Sequence, residues 1–250
     1  MIPALREAAA LVYTDDLDEP ALSPADEHHL ADVLRLRDGE RVVAADGRGG
    51  YRLCSVARLA SGRRAEVVLR AAGERAAQPA PSPRLTVAFA LQKGDRADWT
   101  VQKLTELGVD AILPLLSERT VVRLDGAERP RRGERLRKVA REAGAQSRRL
   151  HLPEVADPQP FDELVAALGS AARLAEPAAA GGLEGCDTVL VGPEGGWSAA
   201  ELGCGLATVG LGETVLRAET AAIVSGTLLA AARAGLVAPI GGEVVRPRVR

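Results

Sequence analysis

The sequence predicts a two-part α/β protein: a small, mostly β amino-terminal domain over residues 1–72, a linker over 73–84, and an α/β domain with a mainly parallel sheet over 85–250. Three observations carry this reading. The stretch "GERAAQPAPSPR" (73–84) sets three prolines among small and polar residues, and no apolar period survives it. Before it lie short β-like runs separated by turn signals; after it, buried apolar runs alternate with helix-period segments, the pattern of βαβ units.

Taken in order, "PADEHHLADVLRL" (24–36) predicts one helix, and "RVVAAD" (41–46), "YRLCSVARL" (51–59) and "AEVVLRA" (65–71) predict strands, the first two joined by the turn "DGRGG". Beyond the linker, "LTVAFAL" (85–91) and "DAILPLL" (110–116) are buried strands. Between them Ala97, Val101, Leu104 and Leu107 share a helical face that Gly108 closes. Further strands are expected at "ARLAE" (172–176), "DTVLVG" (187–192) and "ATVGLG" (207–212), with helices near 131–147, 198–206 and 219–234. The final "RPRVR" is expected to be a frayed basic tail.

A chain of 250 residues can bury most of its unfolded surface without covalent staples. Hydrophobic residues make up 46% but aromatics only 2%, so Ala, Val and Leu must fill the core. Cys54, Cys186 and Cys204 are odd in number and widely spaced, against a disulfide framework or structural zinc; they are expected to be reduced. The sequence holds no apolar run of bilayer length and its N-terminus carries early charges, so a cytoplasmic location is expected. Net charge is only −2, yet Arg129 to Arg149 holds nine basic residues against Glu134 and Glu142. Such a stretch is either a solvated helix face or a phosphate-gripping one.

The chemistry concentrates in two stretches. In "VGPEGGWSAAEL" (191–202), Ser198 and Glu201 form the S-x-x-E signature of a helix start, so the glycines fill a turn between a buried strand and that helix. Loops at the carboxyl edge of an open α/β sheet are where ligands bind, and glycine lets backbone approach a ligand closely. An ordinary tight turn explains "GPEGG" equally well until "LGETVLRAETAAI" (211–223) is set beside it, a second loop from a strand end into a helix. Two such loops on adjacent strands form a pocket. Several chemistries find no support: there is no G-x-x-x-x-G-K-[ST], no strand-to-helix G-x-G-x-x-G and no G-x-S-x-G. His28, His29 and His151 are the only histidines and none has H-x-x-x-H spacing, so no metal is expected.

The ordered set "HHLADVLRLRDGE", "LQKGDRADWTVQKLTELGV" with "ILPLLSERTVV", "REAGAQSRRLHLPEV", "GPEGGWSAAEL" and "LGETVLRAETAA", running from about residue 20 to 235, resembles the RsmE family of bacterial 16S ribosomal RNA uridine-N3 methyltransferases in the SPOUT superfamily. The resemblance implies an amino-terminal PUA-like β-barrel that binds RNA. It also implies a carboxyl-terminal SPOUT domain with a deep trefoil knot, a homodimer, S-adenosylmethionine as cofactor, and methylation of uridine-1498 in 16S rRNA of the small ribosomal subunit. By this resemblance Leu190, Gly192, Pro193, Gly195, Gly196, Leu211, Gly212, Val215, Leu216, Glu219 and Thr220 are candidate cofactor-binding residues. Arg217 and Glu194 are candidate catalytic residues; Arg217 either stabilises negative charge on the uracil or pairs with Glu194 or Glu219 to brace the loops. Glu219 and Thr220 have a competing reading as helix caps. Arg6, Arg35, Arg148 and Arg149 are candidate RNA-binding residues. Where the family usually has Glu-Gln-Ser the chain has Ala145-Gln146-Ser147, so no role of that glutamate transfers. A SPOUT enzyme for another RNA and a catalytically silent ribosome-binding relative are the alternative readings.

Overall fold

A computed structural model describes residues 2–61, 64–177 and 179–237. The basic tail expected at 246–250 lies outside the described residues. The chain divides into two units, Met1–Pro81 with Lys138–Leu152, and Ser82–Arg137 with Pro153–Arg250. This corrects the linear division expected from the sequence. Residues 73–77 belong to a strand rather than a linker, and a segment 60 or so residues downstream returns to the first unit because it carries apolar side chains that complete a core there.

In the first unit a short helix α1 (Pro3–Glu7) leads into β1 (Ala10–Tyr13). Ser23 caps α2 (Pro24–His28), its hydroxyl accepting from the Asp26 N–H at 3.1 Å. The expected single helix then widens into a π-helical turn at His29–Val33 and stops at Arg35, whose φ of 55° is left-handed. The sheet runs β1, β2 (Arg41–Ala45), β3 (Gly50–Ser61), β4 (Arg64–Ala77), with β1 and β2 parallel and the other pairs antiparallel. Asp46 shapes the β2–β3 turn by accepting from the N–H groups of Arg48 and Gly50 at 2.7 and 3.0 Å. The apolar run in β2 is covered on both faces, which is why it does not alternate with polar residues: Val42 and Ala44 pack with Leu30, Cys54 and Val56, while Val43 and Ala45 pack with Leu5, Leu11, Tyr13 and Leu150.

That second core explains the return of residues 138–152. Gly144 stands where a Cβ would lie 2.6 Å from the Tyr13 hydroxyl, so the backbone closes onto the ring only without a side chain. The Tyr13 hydroxyl donates to the Arg149 carbonyl at 2.7 Å, and burial pushes the Tyr13 phenol well above its usual range. Arg141 stacks over the ring at 5.1 Å and donates to the Tyr13 carbonyl at 2.8 Å. Ala145 packs against the same cluster, so the position that departs from the family pattern serves packing in this chain.

The second unit opens with β5 (Thr86–Ala90), α3 (Arg96–Leu107) and β6 (Ala111–Leu116), the expected βαβ unit; Ala97, Val101 and Leu104 are buried and Gly108 ends α3 at φ 91°. Helix α4 (Glu128–Gln146) follows, its residues 128–137 in this unit and 138–146 in the first. Then come β7 (Glu154–Val155), β8 (Gln159–Pro160), α5 (Phe161–Ala167), β9 (Arg173–Ala175), β10 (Thr188–Val191), α6 (Ala199–Leu202), β11 (Ala207–Val209) and α7 (Ala218–Arg233). The sheet has seven strands in the order β11-β9-β10-β5-β6-β7, with β8 also on β6, and every pairing is parallel. β10 is buried throughout because it lies in the middle, with Leu190 between Leu174 and Ala88. Helix α7 packs close to α3 at Gly226, where a Cβ would stand 2.7 Å from Leu104. No helix among the described residues is long and apolar enough to cross a membrane.

Candidate functional site

The loop after β10 owes its shape to residues tied from several sides. A Cβ on Gly192 would stand 2.9 Å from the Trp197 ring, so the indole folds directly over this glycine. The turn closes with Gly196 donating to the Pro193 carbonyl at 2.9 Å, and Gly196 has φ 68°, a conformation that a side chain would strain. Trp197 is buried, donates from Nε1 to the Ala175 carbonyl at 2.9 Å and packs on Phe161 with ring centroids 5.2 Å apart. The expected capping box is present: the Glu201 N–H donates to the Ser198 hydroxyl at 3.3 Å, and the Ser198 N–H donates to Glu201 Oε2 at 2.8 Å. The second oxygen of Glu201 accepts from the Glu118 N–H at 2.9 Å, which explains how this carboxylate is buried without a cation. From the same segment Arg119 donates through Nη1 to the carbonyls of Gly195 and Trp197, at 2.9 and 3.1 Å.

The loop after β11 carries Gly212 at φ 147° and delivers the chain to Arg217, the residue before the first turn of α7. Both loops, with the end of β9, border a cleft that opens partly to solvent. The cleft sits where β9, β10 and β11 end side by side, at the carboxyl edge of the parallel sheet.

Of the residues singled out from sequence, Gly192, Pro193, Glu194 and Gly196 line the cleft from the first loop, and Leu211, Gly212, Val215 and Leu216 from the second. Leu190 does not line it; fully buried, it belongs to the core beneath with Leu174 and Trp197. Gly195 turns toward Arg119, where a Cβ would meet the Arg119 side chain at 3.4 Å. Glu219 and Thr220 lie in the first turn of α7 outside the lining, and α7 has no side-chain cap, so neither residue caps it. Glu219 is buried, and its Oε2 has no hydrogen-bond partner among the described residues. Arg217 is exposed and braces neither loop; Glu194 pairs instead with Arg96 at 3.3 Å, both side chains about half exposed.

Several lining residues carry no signal in the sequence. Ala175, Glu176 and Pro177, the end of β9, form the third wall, and Trp197 closes the floor. Thr214 adds a hydroxyl-bearing residue to the second loop, and Ala218 and Ala221 present the small face of α7. Among the described residues no group of three His, Cys, Asp or Glu is placed to hold a metal ion.

The basic stretch is largely spoken for inside the fold. Arg132 and Arg135 face Asp98, Arg135 also reaches Asp95 at 3.0 Å, and Arg137 pairs with Asp157 at 2.8 Å. Arg148, with a left-handed φ of 58°, turns its guanidinium onto the carbonyls of Leu5, Ala8 and Ala9. Its position is a carbonyl cage in the first unit rather than an open basic face. Arg6 and Arg35 are exposed.

Comparison with known proteins bears on this site. Residues 78–230 match the family model described as an RNA methyltransferase domain, and residues 22–70 the RNA methyltransferase PUA domain. The chain is 37% identical over 238 residues to the ribosomal RNA small subunit methyltransferase E of Mycobacterium bovis, covering 87% of this chain and 89% of the relative. It is 31% identical over 215 residues to that of Bacillus subtilis, covering 78% and 82%. Among solved structures, a putative methyltransferase from Legionella pneumophila with bound SAM superposes with TM-score 0.76 at 28% identity, covering 89% of this chain and 97% of that one. The ribosomal RNA small subunit methyltransferase E of Neisseria gonorrhoeae, bound to S-adenosyl methionine, superposes with TM-score 0.71 at 28% identity, covering 91% and 97%.

Proposed function

The chain belongs to the ribosomal RNA small subunit methyltransferase E family, and from that premise we propose that it transfers the methyl group of S-adenosylmethionine to N3 of one uridine in 16S ribosomal RNA. The observation that carries the reading is the three-loop cleft, whose walls are mostly backbone and apolar side chains at the carboxyl edge of a parallel sheet. The fit to a sulfonium nucleoside is chemical. Gly196 and Gly212 hold conformations a side chain would strain, and a Cβ on either would meet no protein atom within 4 Å, so these positions leave backbone open to a ligand. The Leu211, Val215 and Leu216 side chains supply apolar surface for a purine ring.

Bound there, S-adenosylmethionine supplies a methyl group already activated by a positively charged sulfur, so no metal is required. What the protein must do is align the uracil and keep water away, an effect that reaches about 7–11 kcal/mol in the most favourable intramolecular systems. The N3 atom carries a proton at neutral pH and attacks only once that proton leaves. Arg217, exposed beside the cleft and without a side-chain partner among the described residues, is available to stabilise negative charge on the uracil oxygens. Glu194 lines the cleft half-paired with Arg96 and is the carboxylate of the first loop nearest this chemistry in sequence. Glu219 and Thr220 stand in the first turn of α7, directly after the second loop.

For the RNA, the PUA-matched segment and the exposed Arg6 and Arg35 supply phosphate contacts, with Arg149 from the segment that joins the first unit. Arg148 contributes by holding the backbone of residues 5–9. A homodimer, a knotted thread through the carboxyl-terminal unit and a cytoplasmic location complete the reading on the strength of family membership. Mass-spectrometric mapping of 16S rRNA from cells lacking the gene tests it: loss of one N3-methyluridine, at position 1498 in the family's RNA numbering, restored by the purified chain with S-adenosylmethionine, is expected. An unchanged modification map would overturn it.

A further inference from the structure

The ionisable lining of the cleft is entirely acidic. Among the described residues that border it, Glu176 and Glu194 carry charge and no Lys, Arg or His joins them. The two carboxylates differ in what holds them. Glu194 shares its charge with Arg96 across 3.3 Å. Glu176 follows β9, and its main chain is tied on both sides: its N–H donates to the Val209 carbonyl at 3.0 Å, and its carbonyl accepts from the Ala179 N–H at 3.0 Å. Its side chain is half-buried and makes no hydrogen bond or ion pair with any described residue. A carboxylate partly withdrawn from water, on a rigidly held backbone and beside mostly apolar walls, is stabilised when a ligand brings the opposite charge.

We propose that Glu176 is a specificity-determining residue that selects the cationic cofactor over its neutral product. The inference rests on the cleft being the S-adenosylmethionine site. In the reaction the uracil N3 lone pair forms the N–C bond, the C–S bonding pair returns to sulfur, and the N3 proton departs to solvent or a base. Sulfur thereby changes from a sulfonium cation to an uncharged thioether, so the ligand loses one positive charge while both carboxylates keep theirs. The attraction that favours entry of the cofactor is absent from the product, and exchange of spent for fresh cofactor follows. A unit charge pair separated by about 6–10 Å at an effective dielectric of about 40 corresponds to about four- to tenfold in affinity.

Isothermal titration calorimetry on the full chain at low salt separates the possibilities with three probes. S-adenosylmethionine and sinefungin, which carries an ammonium in place of the methylated sulfur, are cationic at the reacting centre; S-adenosylhomocysteine is not. Glu176→Gln is expected to weaken the two cationic probes about four- to tenfold and leave S-adenosylhomocysteine within about twofold, with Glu176→Asp restoring most of the difference. Equal weakening of all three probes would overturn the proposal, since a hydrogen bond to the shared ribose or adenine does not distinguish them. Unchanged binding of all three by Glu176→Gln would overturn it too. Failure of the unsubstituted chain to bind any probe would instead remove the cofactor reading on which the proposal rests.

Discussion

Replacing Arg119 by Ala removes a clamp that stands outside the cleft lining yet holds its wall. The guanidinium donates to two carbonyls of one loop, Gly195 at 2.9 Å and Trp197 at 3.1 Å, and so spans the glycine with φ 68° between them. Hydrogen bonds from a charged donor are worth about 1.5–3 kcal/mol each when buried. Arg119 is exposed, so solvent screening and side-chain entropy reduce the pair to about 1–2 kcal/mol together. The loss falls on the loop rather than on the fold, because Trp197 and the Ser198–Glu201 capping box remain. If the bonded loop is the form that binds cofactor, apparent affinity falls with its population, and 1–2 kcal/mol corresponds to about five- to thirtyfold weaker S-adenosylmethionine binding. Calorimetric titration with a parallel thermal melt is the assay: affinity drops by that factor while Tm moves by less than a few degrees, and Arg119→Lys, able to reach one carbonyl, lies between. Affinity within twofold of the unsubstituted chain would refute the reasoning and leave the loop held by Trp197 and the capping box alone.

Two further outcomes follow from close contacts. Gly192→Ala places a Cβ 2.9 Å from the Trp197 ring, so the indole must shift off its bond to Ala175; we expect destabilisation of about 1–3 kcal/mol with weakened cofactor binding, read by melting and titration, and an unaltered melt would show that the ring relocates freely. Arg148→Ala strips the guanidinium from the carbonyls of Leu5, Ala8 and Ala9, and a loss of about 2 kcal/mol of stability is expected with little change in the salt dependence of RNA binding. A flattened salt slope at unchanged stability would return Arg148 to the phosphates.

Legibility from sequence followed the range of the interactions involved. The helix from Arg96 was readable because Ala97, Val101 and Leu104 repeat at helical spacing and Gly108 supplies the left-handed stop. The strand Thr188–Val191 was readable because a middle strand is buried on both faces, which its run Val189–Val191 reflects. By contrast α5 has seven residues, fewer than the period needs to declare itself, and β7 and β8 have two each and exist only through pairing with β6. The helix expected over 198–206 ends at Leu202, where Gly203 and Gly205 break it. Arg217 shows the limit on the site side: its motif drew attention to it, but whether it met Glu194, Glu219 or neither depended on Arg96, far away in the chain.

The amino-acid order alone determined the two glycine-bearing loops, the capping box that starts the helix at Ser198, and the parallel α/β character of the unit that holds them, because turns, caps and periodicity are written within a few residues. Only the tertiary structure decided that β9 lies between β10 and β11, which brings Glu176 to the cleft as its third wall, that Arg119 grips the first loop from the end of β6, and that Arg148 serves the backbone of the first unit. Strand order and long-range side-chain reach are products of the whole packed arrangement. A three-residue strand such as β9 carries no local signal of which neighbours it will have.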